Sequence, residues 1–213
     1  MTGLVFWDWN GTLLDDASYA LGVRNRTFPA FGLPTLDSLE AYREQFTFPV
    51  SDYYRAAGVT DENFVAVANA WMAEYVRGQD GVPLFPDAEE ALRRFSAAGL
   101  RQAVLSASQK QQLAHQLETA GILSRFEAVL GLSHIYATSK EDIGRAYIAD
   151  CGLPPQSCVL LGDTLHDADV ARAMGARCVL IARGHQSRDT LGKAGVPVCD
   201  TLREACDVVL GEK

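Results

Sequence analysis

The stretch Leu4-Val5-Phe6-Trp7-Asp8-Trp9-Asn10-Gly11-Thr12 decides the fold. Four consecutive apolar residues leave no polar face, as in a strand covered on both sides, and Asp8, Asn10 and Gly11 then end it in a sharp turn. Similar short apolar runs return at residues 101–105, 126–130, 158–161 and 177–181. Between them, residues 88–98, 109–120, 140–151 and 167–174 read as helices, and Gly99, Gly121, Gly152 and Gly175 stand where each helix should stop. Strand alternating with helix predicts an α/β fold with a doubly wound, Rossmann-like parallel sheet, whose ligands sit beyond the carboxyl ends of the strands.

Residues 15–84 break the alternation. Phe64, Val67, Ala68, Trp71 and Tyr75 recur at helical spacing, and residues 15–31 and 36–46 also read as helices with no strand between them. The turn-rich segment at 78–87 reads as the return path. The expected organisation is a catalytic core of residues 1–14 and 85–213 carrying a helical cap of residues 15–84.

The 213 residues are 48% hydrophobic and 22% charged, proportions of an ordinary globular protein. A net charge of -8 repels phosphodiester polymers and anionic lipid, so neither nucleic acid nor a membrane is the expected partner. No apolar stretch reaches the roughly 18 residues that span a bilayer. The first residues lack the basic start of a secretory signal, and a cytoplasmic protein is expected. The five cysteines are odd in number and form no CxxC pair, which signals neither a disulfide framework nor a zinc site.

Chemistry concentrates at strand ends. Asp8 follows the first strand, and Asp163 and Asp167 follow the run at 158–161; the topology brings the three to one edge. A single aspartate there is commonly a turn or helix cap. Three clustered carboxylates repel one another unless a cation lies among them, and hard oxygen donors suit Mg2+.

With those residues in place, the chain resembles the haloacid dehalogenase superfamily, and within it the phosphoglycolate-phosphatase-like branch with a helical cap. FWDWNGTLLDD (residues 6–16) resembles the first family motif, VLSAS (104–108) the second, Lys140 the third and GDTLHDADVARAMGA (162–176) the fourth. The resemblance implies a phosphatase acting on a small phosphorylated metabolite. It makes Asp8 the nucleophile that forms an aspartyl-phosphate, and assigns Mg2+ to Asp8, Asp163 and the Asn10 carbonyl. Asp167 would hold a metal-bound water or Lys140. Ser106 and Lys140 would contact the phosphoryl oxygens, and Thr12 the turn or the phosphate.

Two positions depart from the family pattern. Asn10 stands where the phosphatases usually carry a second aspartate that protonates the leaving oxygen and later activates water. That help is typically worth about 100-fold to 10,000-fold, so phosphates with poor leaving groups should turn over slowly. Glu141 follows Lys140 where the branch often has proline. The alternative to an enzyme is a catalytically weakened protein that binds phosphate or a phosphometabolite. Carbon–phosphorus cleavage needs a cap lysine, whereas the first lysine of this chain is Lys110. Dehalogenases work without Mg2+ and have no need of Asp163. His166 and His185 are candidate replacements for the missing proton donor, although loop histidines are usually solvated. Arg24, Arg26, Arg43 and Arg55 are the cap cations that could reach the far end of a substrate; cap arginines are mostly surface residues.

Overall fold

The computed structural model describes residues 2–132 and 140–212. Among them, β1 (Leu4–Trp7) lies in the middle of a six-stranded, all-parallel sheet. β2 (Arg101–Gln109) and β3 (Ala128–Leu132) extend it on one side, and β4 (Cys158–Gly162), β5 (Arg177–Ile181) and β6 (Val198–Cys199) on the other. The chain therefore reverses its direction of sheet growth between β1 and β4. Such a switch point opens a crevice at the carboxyl ends of the two strands.

Four helices follow β1: α1 (Ala17–Thr27), α2 (Leu39–Gln45), α3 (Val50–Ala56) and α4 (Phe64–Gly78). The sheet helices are α5 (Ala88–Ala97), α6 (Lys110–Thr119), α7 (Lys140–Asp150), α8 (Leu165–Met174), α9 (Arg188–Leu191) and α10 (Leu202–Leu210). Alternation along β1 serves both faces. Val5 and Trp7 point toward α5, α6 and α10, meeting Leu92, Phe95, Leu117 and Cys206, whereas Leu4 and Phe6 join Ile148, Val170 and Met174 from α7 and α8. All four β1 side chains are fully buried, which explains the unbroken apolar run.

The helices α1–α4 gather a separate buried cluster that includes Ala17, Phe28, Tyr42, Tyr53, Tyr54 and Val67. The chain leaves and re-enters the sheet through a short two-stranded neck, in which the Asp15 amide donates to Pro83 O (2.9 Å) and the Phe85 amide to Leu13 O (2.9 Å). The helix predicted over 15–31 is shorter than its apolar spacing suggests. α1 stops at Thr27, and Pro29 tightens the next four residues into a 3-10 turn closed by Gly32 in the left-handed conformation. The third strand begins at Ala128, because Phe126 is the end of a 3-10 turn over Leu123–Arg125. α3, β6, α9 and α10 were not anticipated. No helix of the described residues is long and apolar enough to cross a membrane.

Candidate active site

Asp8 is fixed at the carboxyl end of β1 by its amide, which donates to Leu161 O of β4 (2.9 Å). Asp163 and Asp167 come from the turn after β4 and the first turn of α8. Thr164 caps that helix and forms a reciprocal box with Asp167. One Asp167 oxygen, Oδ2, accepts from the Asp163 amide, the Thr164 amide and the Thr164 hydroxyl (3.2, 3.1 and 2.7 Å). Its other oxygen faces Lys140, at the start of α7. The Lys140 ammonium donates to Asp167 Oδ1 (2.6 Å) and to Asp8 Oδ1 (2.5 Å).

These groups are almost wholly withdrawn from water: Asp8 is 8% exposed, Asp163 0%, Asp167 2% and Lys140 4%. Burial pushes the Asp8 carboxyl far above the usual carboxylate range; Lys140 opposes the rise, and Asp167 and Asp163 add to it. Asp163 is pushed up to about 6 by burial, with His185 opposing and Asp167 adding. Lys140 thus pairs with two of three carboxylates that each place one oxygen within 4.8 Å of the others. Surplus negative charge on clustered hard oxygens fits a divalent cation such as Mg2+.

The backbone around Asp163 is built to the same end. Its Oδ1 accepts from the Thr12 hydroxyl (3.2 Å), and Oδ2 accepts from the His185 amide (2.6 Å). Gly11, at φ +74°, and Gly184 flank this carboxylate so closely that a Cβ at either position would stand 2.2 or 2.1 Å from Oδ2. Ser106, 2% exposed at the end of β2, lines the same cavity, and its hydroxyl accepts from the Ser108 amide (3.1 Å).

A second polar cluster joins the core to the cap. Asp16, 1% exposed, accepts through Oδ1 from the Gly11 amide (2.8 Å) and pairs there with His185 Nε2 (3.1 Å). Through Oδ2 it accepts from the Asn10 amide group (2.7 Å) and the Tyr75 hydroxyl (2.8 Å). Asn10 Nδ2 also donates to the Tyr75 oxygen (2.8 Å), and Asn10 Oδ1 accepts from the Ser108 hydroxyl (3.1 Å). The Tyr42 hydroxyl meets His185 Nδ1 at 2.7 Å. Burial alone would raise Asp16, but His185, Asn10 and Tyr75 together hold it below its ordinary value. His185 is pulled down by burial and more strongly up by Asp16 and Asp163, reaching about 9.

The predicted site residues Asp8, Asn10, Thr12, Ser106, Lys140, Asp163 and Asp167 therefore converge. In the structure the Thr12 hydroxyl is spent on Asp163, and the Asn10 side chain points to Asp16 and the cap. His166 stacks on Phe48 with ring centroids 4.7 Å apart, and burial lowers its pKa. None of the four cap arginines lines the cavity. Arg26 pairs with Glu74, and Arg55 with Asp52. Arg43 donates to the carbonyls of Gly184 and Arg183. Arg24 is buried over the Phe28 ring, 4.5 Å from its centroid. The sequence reading missed Asp16, Tyr42 and Tyr75 as site residues. The only signal was the second acidic residue of LLDD, because the partners lie 59 and 169 residues further along the chain.

The cavity holds about 500 Å³ between Asp8, Ser106 and Lys140 below and Tyr42, Phe46, Phe48, Tyr53, Trp71 and Tyr75 above. Residues 5–181 match the family described as haloacid dehalogenase-like hydrolase. Tyrosine-protein kinase PtkA of Mycobacterium tuberculosis is 28% identical, over 96% of this chain and 72% of its own. Phosphoglycolate phosphatase of Synechococcus elongatus is 23% identical, over 88% and 87%. A haloacid dehalogenase-like family protein of Streptococcus pneumoniae shares the fold with a TM-score of 0.84 at 19% identity, over 97% and 98% of the two chains.

Proposed function

The chain belongs to the haloacid dehalogenase-like hydrolase family and is a phosphatase-type hydrolase, and from that premise we propose that it cleaves a small phosphomonoester, with Mg2+, through a phosphoenzyme on Asp8. The observation that carries this reading is the buried carboxylate set beside Lys140 at the sheet's switch point. Asp8 attacks phosphorus, and the Ser106 hydroxyl and Lys140 ammonium hold the phosphoryl oxygens as charge moves onto them. Asp8, Asp163 and the Asn10 carbonyl would hold Mg2+, with Asp167 steadying Lys140. When bound, the ion offsets the repulsion among the carboxylates and polarises a phosphoryl oxygen. The cap, closed over the cavity through Tyr75 and Tyr42, keeps bulk water out.

The substrate is a small phosphorylated metabolite, since the lid leaves no room for a folded phosphoprotein. Neither nucleic acid nor a membrane is a proposed partner. A second reading, a phosphate-binding protein with little turnover, is favoured by Asn10, whose amide protons are both engaged elsewhere.

The test is turnover of 4-nitrophenyl phosphate with Mg2+ or chelator, for the wild type and Asp8→Asn. Wild-type turnover should vanish with chelator and fall by about 1,000-fold or more in the variant, as expected for loss of a nucleophile. Acid-quenched wild type should carry a phosphoryl group that Asp8→Asn lacks, seen by mass spectrometry. A folded Asp8→Asn protein with wild-type turnover removes the mechanism. Tight phosphate binding without turnover selects the second reading.

A further inference from the structure

The cap side of the cavity is aromatic, and no described lysine or arginine of the cap lines it. Resting on Asp8 as nucleophile, we propose that the substrate's leaving group is an uncharged aromatic alcohol, so that the preferred substrates are aryl phosphates. Two independent observations converge on this class.

The first is that the side chain at position 10 offers no proton to the leaving oxygen. Both protons of the Asn10 amide are committed, one to Asp16 Oδ2 and one to the Tyr75 oxygen, and the Tyr75 proton is itself given to Asp16. An oxygen that leaves here carries away the electron pair of the broken P–O bond as an anion. A phenol, which ionises near 10, can do so, whereas an alkanol, a far weaker acid close to water itself, cannot do so readily.

The second is the wall chemistry. Trp71 is stacked on Tyr75 with centroids 4.9 Å apart, and Phe46 and Tyr53 lie 5.3 Å apart, so ring faces and edges surround the space above Asp8. Flat aromatic groups gain from such offset and edge contacts. A carboxylate or second phosphate would meet no cap cation in the cavity lining: Arg26 and Arg55 are spent on surface acids, Arg43 on backbone carbonyls, and Arg24, whose guanidinium has no hydrogen-bond partner among the described residues, is buried against Phe28 and Tyr53 outside the lining. At about 500 Å³ the space lies within the range of small-molecule pockets.

The reaction balances without a protein acid. An Asp8 oxygen forms a bond to phosphorus, the P–O(aryl) bond breaks, and aryloxide departs. Water then adds its oxygen to phosphorus, the Asp8–phosphorus bond breaks, and the proton released by water neutralises the aryloxide.

The test compares kcat/KM for 1-naphthyl phosphate, acetyl phosphate and phosphoglycolate in the Mg2+-loaded protein, for the wild type, Trp71→Ala and Phe48→Ala. Acetyl phosphate carries a still better leaving group without a ring, so that each variant is compared with the wild type substrate by substrate, and phosphoglycolate carries a poor one with a negative charge. Naphthyl phosphate should exceed phosphoglycolate by at least 100-fold in the wild type, the low end of a general-acid contribution. Each variant should lose about tenfold more on naphthyl than on acetyl phosphate, the loss lying in KM. Phosphoglycolate turned over within tenfold of naphthyl phosphate overturns the proposal, and so does an equal loss on the two activated phosphates in both variants. Either result leaves the Asp8 phosphatase standing, whereas failure on all three substrates strikes the phosphatase reading itself.

Discussion

Two buried acidic clusters lie side by side beneath the cap, and the carboxylates Asp8 and Asp163 of one are shifted opposite to Asp16 of the other. Around Asp8, Asp163 and Asp167 a single ammonium reaches two of three carboxylates; Asp8 and Asp163 are driven upward by burial, while Asp167, which holds Lys140 and the Thr164 donors, is held down. Around Asp16 a single carboxylate is answered by His185, Asn10, Tyr75 and the Gly11 amide, and it is driven downward. Equal burial thus gives opposite results, decided by how many donors reach each oxygen. The first cluster stores unbalanced charge, which suits a site that takes up a cation and does chemistry. The second is internally satisfied and ties the cap to the core.

The largest effect expected from breaking this contrast is at Lys140. Lys140→Met should lower turnover of an activated aryl phosphate by about 100-fold to 1,000-fold, the usual loss when a charge-stabilising donor is removed, mostly in kcat. Steady-state kinetics on protein with native circular dichroism is the check. In the satisfied cluster, Asp16→Ala should cost about 3 kcal/mol of stability, because it strands His185, Asn10 and Tyr75 without their common acceptor. Urea unfolding measures it, and a loss below 1 kcal/mol would mean that the cluster adds little.

The contrast sharpens with metal. At Mg2+ about 100-fold above its dissociation constant the wild type should gain about 2.7 kcal/mol, which for a chain of this size raises Tm by roughly 5–10 °C. Asp163→Asn should lose most of that gain. The smallest effect belongs to Asp87, a more exposed carboxylate that accepts from Arg183 and from the Leu202 amide. Burial would raise it, but Arg183 and the backbone amides hold it below its ordinary value. A depressed folded pKa gives stability that is present above the unfolded value and lost as pH falls through the folded one. Relative to Asp87→Asn, the wild type should therefore be favoured by about 1 kcal/mol or less at pH 6, with the advantage shrinking below pH 4.

The two clusters were unequally legible in the sequence. Asp8, Asp163, Asp167 and Lys140 follow or begin regular elements, so the buried runs of β1 and β4 and the start of α7 fix where their side chains gather. The parallel sheet follows from the same alternation, whereas its strand order does not. Asp16 stands at the start of the helix predicted over 15–31, where an aspartate reads as a cap, and its partners Tyr75 and His185 meet it only because the cap closes, a tertiary event without local signature. Tyr75 was read as cap packing, since its helical spacing with Trp71 is what a packed face shows. β6 is only two residues long and α9 four, too short for periodicity to register. α3 lies among aromatic and polar residues whose spacing reads equally as loop.

Gly11 and Gly184 give the first cluster a property unlike that of its acids. A methyl group at 184 would land on Asp163 Oδ2 and within 2.4 Å of Gly11 O. Gly184 does not use the left-handed backbone that Gly11 requires, so alanine there acts through bulk, against the carboxylate and the Gly11 carbonyl, and not through a forbidden φ. Gly184→Ala would displace a carboxylate while leaving every charge in the protein unchanged. Any aspartate substitution alters charge, whereas here the turn and carboxylate can be displaced with charge held constant, and the lever is a residue with no functional group of its own.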